Sequence, residues 1–263
     1  MIRRVFTAFL AEWYKYSRLL LPYIGLITVV SMIAMSLLIH PIRRDNANDF
    51  AFIGTAVPGA MNLAGLVMTL VYCATLIASE VESGTIRLVL TRPIQRHEFY
   101  LAKLLNGMTY ATILSLAAIG AAWMVAIVLG DLNGVAFGDE LIHAPDEMYG
   151  AMALAFALNL MPQFAAVSYA LFISTVTRQP AAAIGVAVVG WLIVDFVKSP
   201  FGIASGVFTT YLDQAWIVFQ DRANGLDSPF FPAAAQNMIV SLSWFAVFSL
   251  AGIFVFGRRS FGP

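Results

Sequence analysis

LLNGMTYATILSLAAIGAAWMVAIVLG, residues 104–130, runs for 27 residues without an aspartate, glutamate, lysine or arginine. As an α-helix rising ~1.5 Å per residue it would be about 40 Å long, more than the ~30 Å hydrocarbon core of a bilayer. A helix that is apolar on every side is stable only inside a large core or in lipid. The composition selects lipid: 60% of the chain is hydrophobic and 11% charged, where a soluble domain carries about a quarter charged residues.

Five further uncharged runs flank this one, at 19–40, 50–79, 148–177, 179–194 and 228–257. They predict an all-α polytopic membrane protein with six transmembrane helices, at about 19–40, 54–79, 104–130, 149–177, 179–198 and 232–257, in one permease-like domain over 1–263. The fifth gains full length only if it continues through Asp195 and Lys198, which at i and i+3 can pair near the interface. The run 199–212 is too short to span and is broken by Pro200, Gly202 and Gly206, so it reads as a re-entrant or interfacial segment before the last helix. Residues 1–18 set Val5, Phe9 and Trp13, or Leu10 and Tyr14, at helical spacing among basic residues, the pattern of an interfacial helix. The apolar stretch after Arg18 is about 21 residues and lacks a small-residue cleavage site, so it is expected to be a span and not a removed signal peptide.

Lysine and arginine orient the bundle. With the N-terminus inside, eleven of fifteen fall on inner segments: Arg3, Arg4, Lys15, Arg18, Arg87, Arg92, Arg96, Lys103, Arg178, Arg258 and Arg259. The outer segments hold Arg43, Arg44, Lys198 and Arg222, and the loop 131–147 has five acids and no lysine or arginine. Both termini are therefore expected in the cytoplasm. The net charge is zero, which offers nucleic acid no attraction. The only cysteine, Cys73, lies in an apolar run, so no intramolecular disulfide or thiol metal cluster is expected.

The densest charge lies between the second and third spans, in SEVESGTIRLVLTRPIQRHE, residues 79–98. Ser79 and Glu82 have the S-x-x-E form of a capping box, and Pro93 suits the first turn of a second short helix leading to Lys103. Two short helices at a membrane surface would form a docking knob. The passage resembles the coupling loop of membrane subunits of type 2 ATP-binding-cassette (ABC) exporters, commonly E-x-x-x-G-T-h-x-x-h-L-S/T-x-P-h-x-R-x-x-h-h-x-x-K with h apolar. Glu80, Gly84, Thr85, Leu90, Thr91, Pro93, Arg96 and Lys103 stand at those places. A weaker echo, STVTRQPAAA at 174–183, resembles the family's short inner turn between spans four and five.

The resemblance implies a loop at 80–103, with Glu80, Glu82, Gly84, Thr85, Arg87, Arg92, Pro93, Arg96 and Lys103 as its working residues, that sits in a groove of a separate ATPase subunit. It also implies two copies of that ATPase, a second permease half, identical or homologous, and residence in a prokaryotic cell membrane. The chain has no G-x-x-x-x-G-K-S/T loop, so no cofactor is expected on it and ATP belongs on the partner subunit.

Polar residues within spans are either path-lining or helix glue. Asn62, Thr69 and Tyr72, with Gly65, share one face of the second span, and Asn159 and Gln163 flank Pro162 in the fourth. An ion-driven secondary transporter or channel is the alternative reading; it should show mid-span charges and inverted repeats. An intramembrane enzyme is the weaker one. It needs a nucleophile with a base or metal at membrane depth, and His40, His97 and His143 all lie on loops without ligand spacing, so no metal site is expected.

Overall fold

The computed structural model describes residues 2–39, 42, 49–86, 95–137 and 140–259. Helix α1 (Ile2–Tyr16) precedes α2 (Leu20–Ile39). Next, α3 (Phe50–Ala60) continues through one π turn (Met61–Gly65) into α4 (Leu66–Glu82). After α5 (Arg96–Leu129) come a two-stranded hairpin, β1 (Val135–Phe137) and β2 (Glu140–His143), then α6 (Pro145–Val176) and α7 (Pro180–Val197). Two 3-10 turns (Ala204–Gly206 and Phe208–Tyr211), α8 (Gln214–Ala223) and α9 (Ala233–Arg258) complete the chain. Among the described residues six helical stretches are long and apolar enough to cross a bilayer: α2, α3 through α4, α5, α6, α7 and α9. The chain is the all-helical polytopic membrane protein that its hydropathy implied.

Local chemistry sets the helix ends. Pro145 opens α6 and Asp146 and Glu147 fill its first turn, where carboxylates meet the positive end of the helix dipole. The S-x-x-E pattern at Ser79 and Glu82 does not start a helix: both residues lie in the last turn of α4, and Ser79 Oγ donates to the Thr75 carbonyl instead. The reciprocal contact that opens α5 is made by Gln95, whose backbone N–H donates to Glu98 Oε2 at 3.0 Å. Within the second span Pro58 has no N–H to give, and the π turn follows directly.

The span containing α4 is the centre of the bundle: two-thirds of its most apolar window is buried, against about a sixth for α2 and α7. Helix α4 packs on α6 and α7, and α6 packs on α9, while α5 carries α1 and α2 on its other side. One hydroxyl staples α4 to α6. Ser174 Oγ donates to the Ala74 carbonyl at 2.6 Å and accepts the Ile77 and Ala78 N–H groups at 3.0 Å each. Gly107 lets α4, α5 and α6 meet, because a Cβ there would stand 2.7 Å from Val167 Cγ1 and 2.8 Å from Cys73 Sγ.

Residues 199–212 include two 3-10 turns, the second of which packs against α6 and α9. Trp244, about 17 Å along α9 from its start, donates its indole N–H to the Gly206 carbonyl at 2.8 Å. Asn159, mid-way along α6, donates to the Leu212 carbonyl. This segment roofs a cleft of about 220 Å3 between α6, α7 and α9, lined by Tyr169, Trp191, Val194, Phe208, Trp244 and Phe248 among others. Beyond the roof, α8 turns Trp216 and Phe219 inward and reaches α3, Gln220 Nε2 donating to Thr55 Oγ1 at 3.1 Å.

Replacing Gly107 by valine should lower the stability of the detergent-solubilised protein by about 1–3 kcal/mol through overpacking. Gly120→Val, where an added Cβ meets nothing within 4 Å, should leave the unfolding temperature within experimental scatter. Equal thermal shifts in the two variants would contradict the three-helix contact.

Candidate coupling site

Four charges and a phenol from three helices meet at the basic end of the bundle. Lys103, in the second turn of α5, is fully buried and spends all three of its N–H donors. Its Nζ lies 2.5 Å from Glu12 Oε2 and 2.7 Å from Glu80 Oε1, and 3.5 Å from the Tyr16 hydroxyl. The rings of Tyr16 and Phe99 each stand 5.0 Å from it. Glu80 Oε1 also accepts from Lys15, at 2.5 Å, and the Tyr16 hydroxyl donates to the Leu76 carbonyl at 3.0 Å.

The charges cancel, two acids against two bases. That balance is required. An ammonium removed from water loses several kcal/mol of hydration, which only close, well-directed partners return. Glu80 is 2% exposed and Lys15 about half exposed, so the Lys103 pairs are the buried ones and the Lys15 pair faces the surface. Glu80 closes α4 and Lys103 opens α5, so the pair ties the two roots of the 83–95 loop together. Glu12, Lys15 and Tyr16 add α1 to the same knot.

The rest of the loop projects. Glu82, Ser83, Gly84 and Thr85 are exposed. Gly84 ends α4 at φ +71°, the left-handed conformation that glycine adopts without a Cβ penalty. Its N–H donates to the Val81 carbonyl at 3.2 Å, and the Ser83 and Thr85 hydroxyls lie 2.9 Å apart. Arg96 is turned toward the last span, where its Nη1 donates to the Gly257 and Arg259 carbonyls at 3.0 and 2.8 Å. Arg259 donates in turn to the Thr175 carbonyl of α6. Arg87, Arg92 and Pro93 lie outside the described residues.

The nine expected loop residues therefore divide. Glu80, Lys103 and Arg96 brace the loop from inside the protein, and Glu82, Gly84 and Thr85 offer the outward surface. Sequence reasoning did not single out Glu12, Lys15 or Tyr16. The signal was present: Glu12 is the lone acid in a basic amphipathic helix, and Lys15 and Tyr16 follow it at i+3 and i+4.

The family comparison bears on this arrangement. The model of an ABC-2 family transporter protein matches residues 8–194, well over half of the chain. The chain belongs to the ABC-2 transporter family. The matched stretch takes in Glu12, Glu80, Lys103, the first four spans and most of the fifth in this ABC-2 protein, while α8 and α9 lie beyond it. Among curated proteins none matches it.

The polar groups expected along a path are mostly committed within the ABC-2 chain. Thr69 donates to the Gly65 carbonyl at 2.8 Å, Tyr72 donates to Asn106 Oδ1 at 2.7 Å, and Asn159 holds Leu212. Gln163 is fully buried, and neither end of its amide has a hydrogen-bond partner among the described residues. Asn62, in the π turn, is the one of the five that is partly exposed.

Lys103→Met would leave Glu12 and Glu80 facing each other in the interior, and should destabilise the protein by about 3–5 kcal/mol. Lys15→Met removes a half-exposed partner and should cost under ~1 kcal/mol. Adding Glu12→Gln to Lys103→Met should recover part of the loss. Denaturant or thermal unfolding in one detergent decides the order; equal losses at Lys15 and Lys103 would contradict a buried, charge-balanced knot.

Proposed function

We propose that this ABC-2 family membrane component is the permease half of an ATP-driven exporter, and that the turn from Glu82 to Thr85, with the stretch that follows it, docks in a separate ATPase subunit. The observation that carries the reading is the Lys103 knot. Because it clamps α1, α4 and α5 at the roots of the loop, a displacement applied to the turn is passed to three helices together and is not absorbed by a floppy connection. A loop serving only to join two spans would not require a buried lysine between two glutamates, an arrangement that costs hydration on each ion.

ATP is bound and hydrolysed on the partner, and two such subunits act on two permease halves, identical or homologous, in a prokaryotic cell membrane. The path runs at or near the contact between the halves. Of the expected path residues Asn62 is the one partly exposed, so it is the best placed to line the path. Transport follows from alternating exposure as the ATPase pair closes and the loop moves. Loop charges of both signs suit steering and orientation of such a partner.

The exposed residues give the clean test, since Glu80→Lys would break the buried knot and report folding. Glu82→Arg and Thr85→Trp should each lower co-purification of the ATPase about tenfold, ~1.4 kcal/mol, with the unfolding temperature unchanged. Unaltered recovery and transport in both would place docking elsewhere. Native Cys73 is buried, so a cysteine substituted for Thr85 can be labelled alone; reaction with an impermeant maleimide in intact cells would reject a cytoplasmic loop.

A further inference from the structure

The cleft beneath residues 199–212 is lined by apolar surface. Its walls are side chains such as Tyr169, Trp191, Val194, Phe208, Trp244 and Phe248. The polar handles of its aromatic walls are spent or buried: Tyr169 donates its hydroxyl to the Val186 carbonyl at 3.4 Å, Trp244 donates its indole N–H to Gly206, and the Trp191 indole N–H is buried away from the cleft surface. Water, ions and sugars find nothing there to replace their hydration. The volume, about 220 Å3, falls below the roughly 300–1,000 Å3 of pockets that enclose drug-sized ligands. A transmembrane helix, about 10 Å across with its side chains, would need a far larger volume. A slender apolar chain fits.

Depth and charge narrow the choice. Helix α7 begins just after Arg178 and has 18 residues, so it rises about 27 Å, close to the full hydrocarbon thickness. Trp191 and Val194 then lie in the half of the bilayer far from the basic end. Asp195 and Lys198 lie at the headgroup boundary. Lys198 Nζ sits 2.5 Å from Asp195 Oδ1 and 3.4 Å from the hydroxyl of Thr209, itself a wall residue. The rim of the cleft therefore carries Lys198 beside Asp195, both partly exposed, with the carboxylate of Asp213 near both. A zwitterionic headgroup, phosphate toward Lys198 and ammonium toward the acids, complements that set; an anionic headgroup meets two acids for one base.

We propose that this cleft binds one acyl chain of a bilayer phosphatidylethanolamine from the leaflet opposite the basic end, with its headgroup over Asp195 and Lys198. The site is independent of the coupling loop and of any ATPase, so its test can fail while the exporter reading stands. The occupant fills apolar volume that the protein's own side chains leave open, and it braces the 199–212 roof against α7 and α9.

The full chain, reconstituted in nanodiscs of phosphatidylethanolamine and phosphatidylglycerol, is probed with a trace of phosphatidylethanolamine bearing a diazirine in one acyl chain, and labelled peptides are mapped by mass spectrometry. Labelling of the cleft walls should exceed that of the lipid-facing residues Ile24, Ile27 and Leu38 of α2 by about fivefold. Val194→Trp, which fills the cleft from a position already partly exposed, should remove most of that excess; Val207→Phe serves if the first variant does not fold. The same diazirine chain on phosphatidylglycerol should label the walls markedly less, and Asp195→Asn with Lys198→Gln should abolish the preference between headgroups while keeping the label. Uniform labelling of cleft and α2, or an unchanged pattern in the filled variants, overturns the site. Equal labelling by the two headgroups in the native chain overturns the role of the charged rim, and cross-links from the cleft to a second protein chain overturn the lipid as occupant.

Discussion

An ammonium group has been taken out of water at Lys103, and the basic end of the molecule is arranged around keeping it there. The cost of dehydrating such an ion exceeds the worth of most single contacts in a protein, so the lysine tolerates no loose partner. Glu80 approaches from the helix that precedes the loop and Glu12 from α1, both within direct hydrogen-bonding distance. The consequence reaches beyond one ion pair. Three helices are held in one register, because moving any of them exposes a charge without its counter-charge.

Around this knot the other helices are latched by backbone carbonyls. Arg96 takes the C-terminal carbonyls of α9, Arg259 takes that of Thr175 at the end of α6, and Ser174 is inserted into the hydrogen-bond ladder of α4. Cationic donors at helix C-termini satisfy carbonyls that have no partner within the helix and face the negative end of its dipole. The opposite end is built differently. There Asp49 and Asp131 exchange backbone and side-chain bonds between the start of α3 and the end of α5. Burial raises the pKa of Asp49 above the usual carboxylate range, so its ionised form is held at a cost. Amides and aromatic rings, from Asn159 to Trp216, do the rest.

The six spans were legible because lipid imposes a long, nearly uninterrupted apolar run on each crossing, and Asp195 and Lys198 paired as their spacing suggested. The short elements were not. The hairpin at 135–143 has too few residues for an alternation to stand out, and α8 hides its inward face, Ala215, Trp216, Phe219 and Ala223, in what reads as a polar loop. The loop motif located the site, yet spacing alone could not tell the residues that brace it from those that project. Glu80 and Glu82 look equivalent in sequence, and two positions along a helix turn one inward to a lysine and the other to solvent. The Ser79 and Glu82 pattern misled for a related reason: a capping signature carries no information about whether a helix is starting or ending.

Helix α5 has a further consequence. Its apolar run starts only at Leu104, so Arg96 to Lys103 adds about 12 Å of rigid stalk below the hydrocarbon. The polar layer of a bilayer is about 5–8 Å deep on each side. A body gripping the tip of this stalk would therefore stand clear of the lipid headgroups, and would tilt the shaft from its end without first having to displace them.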